Sequence, residues 1–239
     1  ARREDDSNDL LTIFNNQLGL SDLPNKLNWK INPSTEDIEF VQVQTRGFSR
    51  RKKKVFLQYK GSTNLKQLSL PTMNKFIKGL IKEGWSVALH HEHKIPDDQF
   101  IDDKSFFNYT GKFHRRHLIP FIDICDAVIT FDSSMVVLPI CAKNPKKQYL
   151  FGIFGPTYAS KRIGYHPNGY HFPASDYYEY KDGEKCWPCV ETKERCGIIS
   201  AKCMDSIKSS DLIKEFIKGH KTIIMDKKPL KARHWEPSI

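Results

Sequence analysis

Val55-Phe56-Leu57-Gln58-Tyr59, followed by Lys60-Gly61-Ser62-Thr63-Asn64, decides the fold. The first five residues form a short apolar run with β-branched and aromatic members, which reads as a buried strand. The next five are the small and polar residues of a loop. A helix is expected from about Pro71 to Glu83, with proline in its first turn and Met73, Phe76, Ile77, Leu80 and Ile81 on one face. Gly84 stops it, and Trp85-Ser86-Val87-Ala88-Leu89-His90 is the next strand. Strand, helix and strand in this order make a βαβ unit.

The pattern continues outward. Phe106 to Tyr109 reads as a short strand closed by Thr110-Gly111. His117 to Cys125 is apolar and helical, with Pro120 expected to bend or delay it. Ala127-Val128-Ile129-Thr130-Phe131 is a third long strand, running into Asp132-Ser133-Ser134 and then an apolar helix to Cys141. Gln148 to Phe154 is a fourth, ending in Gly155-Pro156-Thr157, and Ser209 to Lys218 closes as an amphipathic helix. Such alternation predicts an α/β class: a Rossmann-like parallel sheet flanked by helices. The domain is expected over residues 46–239. Residues 1–45 read as a leading helix and linker, with Leu10, Leu11, Phe14 and Leu18 at helical spacing, Gly19 as a stop, and Pro24 and Pro33 as punctuation.

With 239 residues, 39% hydrophobic, the chain can bury a substantial core. No apolar run approaches the length of a membrane span. The opening Ala1-Arg2-Arg3-Glu4-Asp5-Asp6 is charged, with no apolar segment behind it, so no secretory signal is expected. The expected location is cytoplasmic, with peripheral contact at a membrane surface compatible with the net charge of +10. That charge favours anionic partners. Its densest run, Arg50-Arg51-Lys52-Lys53-Lys54, reads as a solvated approach to a strand, with a nucleic-acid patch as the alternative. No RNP motif, basic zipper or finger pattern accompanies it, so nucleic acid is not the expected partner.

Four of the six cysteines, Cys186, Cys189, Cys196 and Cys203, cluster near the C-terminus. Four thiolates at short spacing can close a tetrahedral site, so a structural zinc or iron is expected in a knuckle over residues 186–203. Disulfides and plain reduced thiols are the alternatives. A metal there would pin the preceding long loop, residues 158–185, to the domain. Cys125 and Cys141 lie in apolar stretches and read as inert core thiols.

Ligands of open parallel sheets sit beyond the carboxyl ends of the strands. The loops at residues 60–66, 90–93, 132–134 and 155–157 should therefore line one edge. Backbone amides of the first could receive a phosphate, with Lys66 adding charge. This loop is neither a Walker A loop nor the dinucleotide glycine pattern. Asp132-Ser133-Ser134 can cap a helix or aim amides and hydroxyls at an anion. His90, His91 and His93 crowd one strand end, but alternation sends His90 and His91 to opposite faces, so they do not readily share a metal. Glu92 reads as an acceptor for sugar or ribose hydroxyls. His114-Arg115-Arg116-His117 reads as a basic helix start. No serine or cysteine nucleophile motif is present.

These pieces, in this order, resemble the C-terminal half of the lipopolysaccharide heptosyltransferases (glycosyltransferase family nine, GT-B fold). The matching segments are Gly61 to Thr63 with Lys66, Glu92, Asn108-Tyr109-Thr110-Gly111-Lys112, Asp126 to Ser134, Phe154-Gly155-Pro156-Thr157, and Cys203-Met204-Asp205-Ser206-Ile207. The match covers roughly residues 50 to 220. It implies a donor-binding half for an ADP- or UDP-linked, heptose-like sugar, with Gly61, Ser62, Thr63, Lys66, Glu92, Asp132, Ser133, Ser134 and Gly155 around the donor and no catalytic metal. It also implies that the acceptor-binding half and its general base lie outside this chain, upstream or in trans. The acceptor would be a glycan, lipid or protein. Two positions depart from the family: Ser134 replaces a glycine and Val137 a histidine. An inactive scaffold of the same fold, or a basic assembly domain, is the alternative.

Overall fold

The structure is a computed structural model that describes residues 31–61, 66–136, 138–155, 166–173 and 202–225. Two helices precede the sheet: α1 (Thr35–Gln44), capped by the Ser34 side chain on the Asp37 amide, and α2 (Arg46–Ser49). Then come β1 (Lys54–Gln58), α3 (Leu70–Lys82), β2 (Ser86–His90), β3 (Phe106–Asn108), α4 (Leu118–Asp123), β4 (Ala127–Phe131), β5 (Tyr149–Phe154), β6 (Gly169–Pro173), α5 (Lys202–Asp205) and α6 (Ser209–His220).

All six strands are parallel, in the order β3-β2-β1-β4-β5-β6. A sheet of this kind is covered on both faces, so its central strands are apolar along their whole length rather than alternating. β2, β4 and β5 are buried at every residue. Alternation still sorts the side chains between two cores. Val55, Leu57, Leu89, Ile129, Phe151 and Ile153 meet α3 and α6 on one face. Phe56, Ala88, Val128, Leu150 and Phe154 meet Val41 of α1, Phe48 of α2, and Leu118, Phe121 and Ile122 of α4 on the other. The α/β, Rossmann-like class expected from the sequence is what the chain adopts.

Two segments differ from expectation, and a third starts late. The apolar stretch after Ser133 forms two 3-10 pieces, Ser134–Val136 and Leu138–Cys141, instead of an α-helix. Pro139 lacks the N–H that an α-helical turn would need, and branched Val136 adds crowding. Around Pro120 the α-helix starts at Leu118, after a 3-10 turn over Arg115–His117, and the proline sits in its first turn, where the missing N–H costs nothing. β6 lies inside the segment read as a long loop. It is short, starts at glycine and ends at proline, which suits the sheet edge it occupies.

The leading helix read around Leu10 to Leu18 lies outside the described residues, as do Cys186, Cys189 and Cys196. Among the described residues no group of three or more His, Cys, Asp or Glu could hold a metal ion. No described helix is long and apolar enough to cross a membrane.

Candidate functional site: the crevice between β1 and β4

The strand order reverses between β1 and β4. Chain from β1 leaves toward β2 and β3, while chain from β4 leaves toward β5 and β6. The loops at the carboxyl ends of these two strands therefore diverge and open a crevice, the usual ligand position in such sheets.

Gly61 and Lys66 come from the β1 side, Asp132 and Ser133 from the β4 side. The Gly61 N–H donates to the Lys66 carbonyl at 2.8 Å, and an antiparallel bridge joins Lys60 to Gln67, so the loop closes on itself. Lys66 Nζ lies 2.6 Å from Asp132 Oδ2. The Asp132 side chain is 1% exposed, and that of Lys66 is 19% exposed. Gly61 is required by proximity. A Cβ there would lie 2.7 Å from Lys66 Cβ and 3.2 Å from the Asp132 carbonyl oxygen.

A residue the sequence did not single out ties the two sides together. Gln58, the last residue of β1, is buried. Its Oε1 accepts from Thr130 Oγ1 at 2.5 Å, Ser133 Oγ at 3.1 Å and the Phe131 N–H at 3.2 Å. Its Nε2 donates to the Lys60 carbonyl at 2.7 Å. The available signal was a lone amide at the carboxyl end of an otherwise apolar strand. Ser133 Oγ also accepts from the Met135 amide at 3.2 Å, so it caps the 3-10 turn that follows.

On the same sheet face, one strand over, His90 stands in register with Gln58 and stacks on Phe56 at 5.4 Å. Burial lowers its pKa to about 4, against which a hydrogen bond to the Phe113 backbone works only in part. His90 is buried and His91 is not, as strand alternation requires. Glu92 stands exposed on the turn after β2. Gly155 ends β5 against Met204 and Cys203, with Cys203 Sγ 3.5 Å from the position a Cβ would take. Ser62 and Thr63 lie outside the described residues. The structure thus brings Gly61, Lys66, Asp132 and Ser133 together, leaves Glu92 on a neighbouring loop, and sets Gly155 beyond β4.

Two surface depressions lie elsewhere. One, of about 380 Å³, is bordered by Asp37, Phe40, Lys112, His114, Arg116 and His117. The other, of about 390 Å³, is acidic, with Asp97, Asp98, Asp102 and Asp103. Neither is lined by a crevice residue.

A doubly wound sheet of order 3-2-1-4-5-6 is the Rossmann-like architecture, with its crevice at the reversal. Solved structures narrow the class. The chain has the heptosyltransferase-like, family-nine glycosyltransferase fold. It superposes on E. coli ADP-heptose LPS heptosyltransferase II with a TM-score of 0.58 and 15% identity, covering 87% of this chain and 58% of that one. It superposes on a family 9 glycosyl transferase from Veillonella parvula DSM 2008 with a TM-score of 0.64 and 14% identity, covering 95% and 63% respectively. The chain therefore spans about three fifths of the length of these two proteins. No protein-family model matches the chain, and no curated protein matches it in sequence.

Proposed function

We propose that this chain is the donor-binding half of a glycosyltransferase that moves a heptose-like sugar from an ADP- or UDP-linked donor to a glycan, lipid or protein acceptor. The observation that carries the proposal is the crevice at the β1–β4 reversal, where Lys66 pairs with Asp132 beside the Gly61 turn, in a fold shared with glycosyltransferases.

In such a transfer the bond between the anomeric carbon and the diphosphate oxygen breaks while the acceptor oxygen bonds to that carbon. Negative charge grows on the departing diphosphate. Lys66 and the amides of the two loops would stabilise it, a fixed field that needs no reorganisation. The Lys66 ammonium has three donors. One is committed to Asp132, and the others can reach phosphate oxygens. A buried carboxylate would repel phosphate, so Asp132 serves the ligand through Lys66. Ser62, Thr63, Ser133 and Ser134 would supply hydroxyls and amides, Glu92 would accept from sugar or ribose hydroxyls, and Gly155 would border the donor at the end of β5, where it lets Met204 pack close. The base that takes the acceptor proton would come from outside this chain.

The four thiols of Cys186, Cys189, Cys196 and Cys203 suit a zinc or iron ion with a structural role. Cys203 is already seated in the core beside the end of β5.

Calorimetric titration with ADP, UDP and their sugar conjugates tests the donor reading. Saturable binding below about 1 mM is expected. Folded protein that binds none of them at that concentration would end the proposal. Salt dependence separates it from nucleic-acid binding, which would weaken steeply as salt rises.

A further inference from the structure

The ladder between β1 and β4 ends at Leu57–Ile129. On the outer sides the pairing runs further: β1 stays in register with β2 to Gln58–His90, and β4 with β5 to Phe131–Ile153. The two central strands part early, and they part where the strand order reverses. Gln58 fills the gap with its side chain. Its Oε1 takes the Phe131 N–H that no longer meets the β1 backbone, together with the Thr130 and Ser133 hydroxyls. Its Nε2 holds the Lys60 carbonyl, one residue before Gly61.

Those bonds close a circuit around the crevice. From Gln58 it runs to Lys60 and Gly61, across the Gly61–Lys66 hydrogen bond, through the Lys66–Asp132 ion pair, and along Ser133 back to Gln58. Each wall is held to the other at two places, once by charge at the rim and once by an amide at the floor. An amide is the side chain that can do the second task. It must accept from the β4 side and donate to the β1 side at once, which neither a carboxylate nor an apolar chain can do. The link is buried, where an unmade hydrogen bond carries its full desolvation cost.

We infer that Gln58 is a positioning residue that fixes the width of the crevice, and with it the distance between the Gly61 turn and Ser133 across which a diphosphate would be held. The ligand part of this rests on the donor-site proposal above; the structural part does not.

Two variants test it, Gln58→Met and Gln58→Glu. Methionine keeps the length and loses both polar functions. Glutamate keeps the acceptor and turns the donor into a second acceptor facing the Lys60 carbonyl. Amide hydrogen exchange of the ligand-free protein is the first readout. Exchange at the Phe131 and Gly61 amides should rise about tenfold or more in Gln58→Met, and at Gly61 alone in Gln58→Glu, while Phe56 and Val128 stay protected. A uniform rise across the sheet, or none, would overturn the inference, since both would mean that Gln58 holds no local link. Binding of ADP and AMP is the second readout. The preference of the wild type for ADP over AMP should shrink to within about threefold in Gln58→Met, with adenosine affinity unchanged. A variant with increased exchange at the two amides and an undiminished ADP preference would remove the diphosphate part. If the wild type binds neither ADP nor UDP compounds, the donor proposal fails, and the exchange result still decides whether Gln58 sets the crevice.

Discussion

Lys66 Nζ and Asp132 Oδ2 meet at 2.6 Å across the crevice between the two central strands, with the carboxylate side chain 1% exposed and the lysine side chain 19% exposed. The two partners are therefore not equivalent. Removing the lysine leaves a charge inside the protein. Removing the carboxylate leaves a lysine that can still reach water. Lys66→Met is expected to cost about 3 kcal/mol, as for a broken buried pair. Asp132→Asn should cost closer to 1 kcal/mol, because the amide keeps an oxygen toward Lys66. Urea unfolding of the two variants measures the difference. Equal losses would mean that the pair behaves as an exposed one. In the same samples Lys66→Met should lower ADP affinity about tenfold, the loss of one charge-assisted contact to phosphate.

Two glycines make different demands, and substitution separates them. At Gly61 the constraint is space: a Cβ would sit 3.0 Å from the Lys66 carbonyl oxygen and 3.2 Å from that of Asp132, and backbone cannot swing aside. Gly61→Ala should lose about 2 kcal/mol and weaken ADP binding with it. At Gly84, which ends α3, φ is +84° and nothing lies within 4 Å of the place a methyl group would take. Gly84→Ala should cost about 1 kcal/mol through backbone strain alone, and Gly84→Asn less, with ligand binding untouched in both. Thermal unfolding and ADP titration of the three proteins check the split.

The contrast also shows what could be read from the chain. The buried strands were legible because a doubly covered parallel sheet writes itself as continuous apolar runs, and α3 because Met73, Phe76, Ile77 and Leu80 repeat at helical spacing. The loops at Gly61 and at Asp132-Ser133 were legible because each follows such a run. Gln58 was not. Its importance comes from where β1 and β4 stop pairing, a long-range property that leaves no local mark. β6 was hidden for the opposite reason, since Gly169 and Pro173 are loop signals that only its edge position reconciles with a strand. The short 3-10 pieces after Ser133 followed from Pro139, which the apolar pattern around it outweighed.

Stability should fall as the solution becomes mildly acidic. His90 and His166 are both buried, and burial lowers each pKa to about 4 from an unfolded value near 6.5. The folded state therefore binds fewer protons than the unfolded one between those values. The stabilisation is complete above pH 6.5 and is lost as pH drops toward 4, by up to about 3 kcal/mol for each ring. His91, His117 and His220 shift in the same direction and add a shallower slope. Urea midpoints should fall little between pH 7.5 and 6.5 and clearly between pH 6.5 and 5. The double variant His90→Gln, His166→Gln should lose most of that decline between pH 6.5 and 5, starting from a lower midpoint. An unchanged slope in the double variant would place the acid sensitivity elsewhere. The Asn168 amide donates to His166 Nδ1 at 3.1 Å, so glutamine at 166 still offers that amide an acceptor.

The proposed metal ion can be separated from the proposed donor site by comparing two cysteines. Cys203 is 2% exposed and packs with Met204 and Ile207 in the core that meets α3 and α6. A thiolate at such a place is costly unless a cation neutralises it. If zinc or iron binds Cys186, Cys189, Cys196 and Cys203, the metal joins the chain before α5 to the core behind the end of β5. Cys186→Ser should then lower bound metal to well under one ion per chain and reduce the melting temperature, while ADP affinity at a temperature where the protein stays folded changes less than about threefold. Cys203→Ser should do the same and lose additional stability from the buried hydroxyl, about 1 to 2 kcal/mol. Elemental analysis of freshly reduced protein is the decisive measurement. Neither zinc nor iron in the wild type would remove the metal, and a Cys186→Ser variant that keeps its metal and its melting temperature would remove this set of ligands.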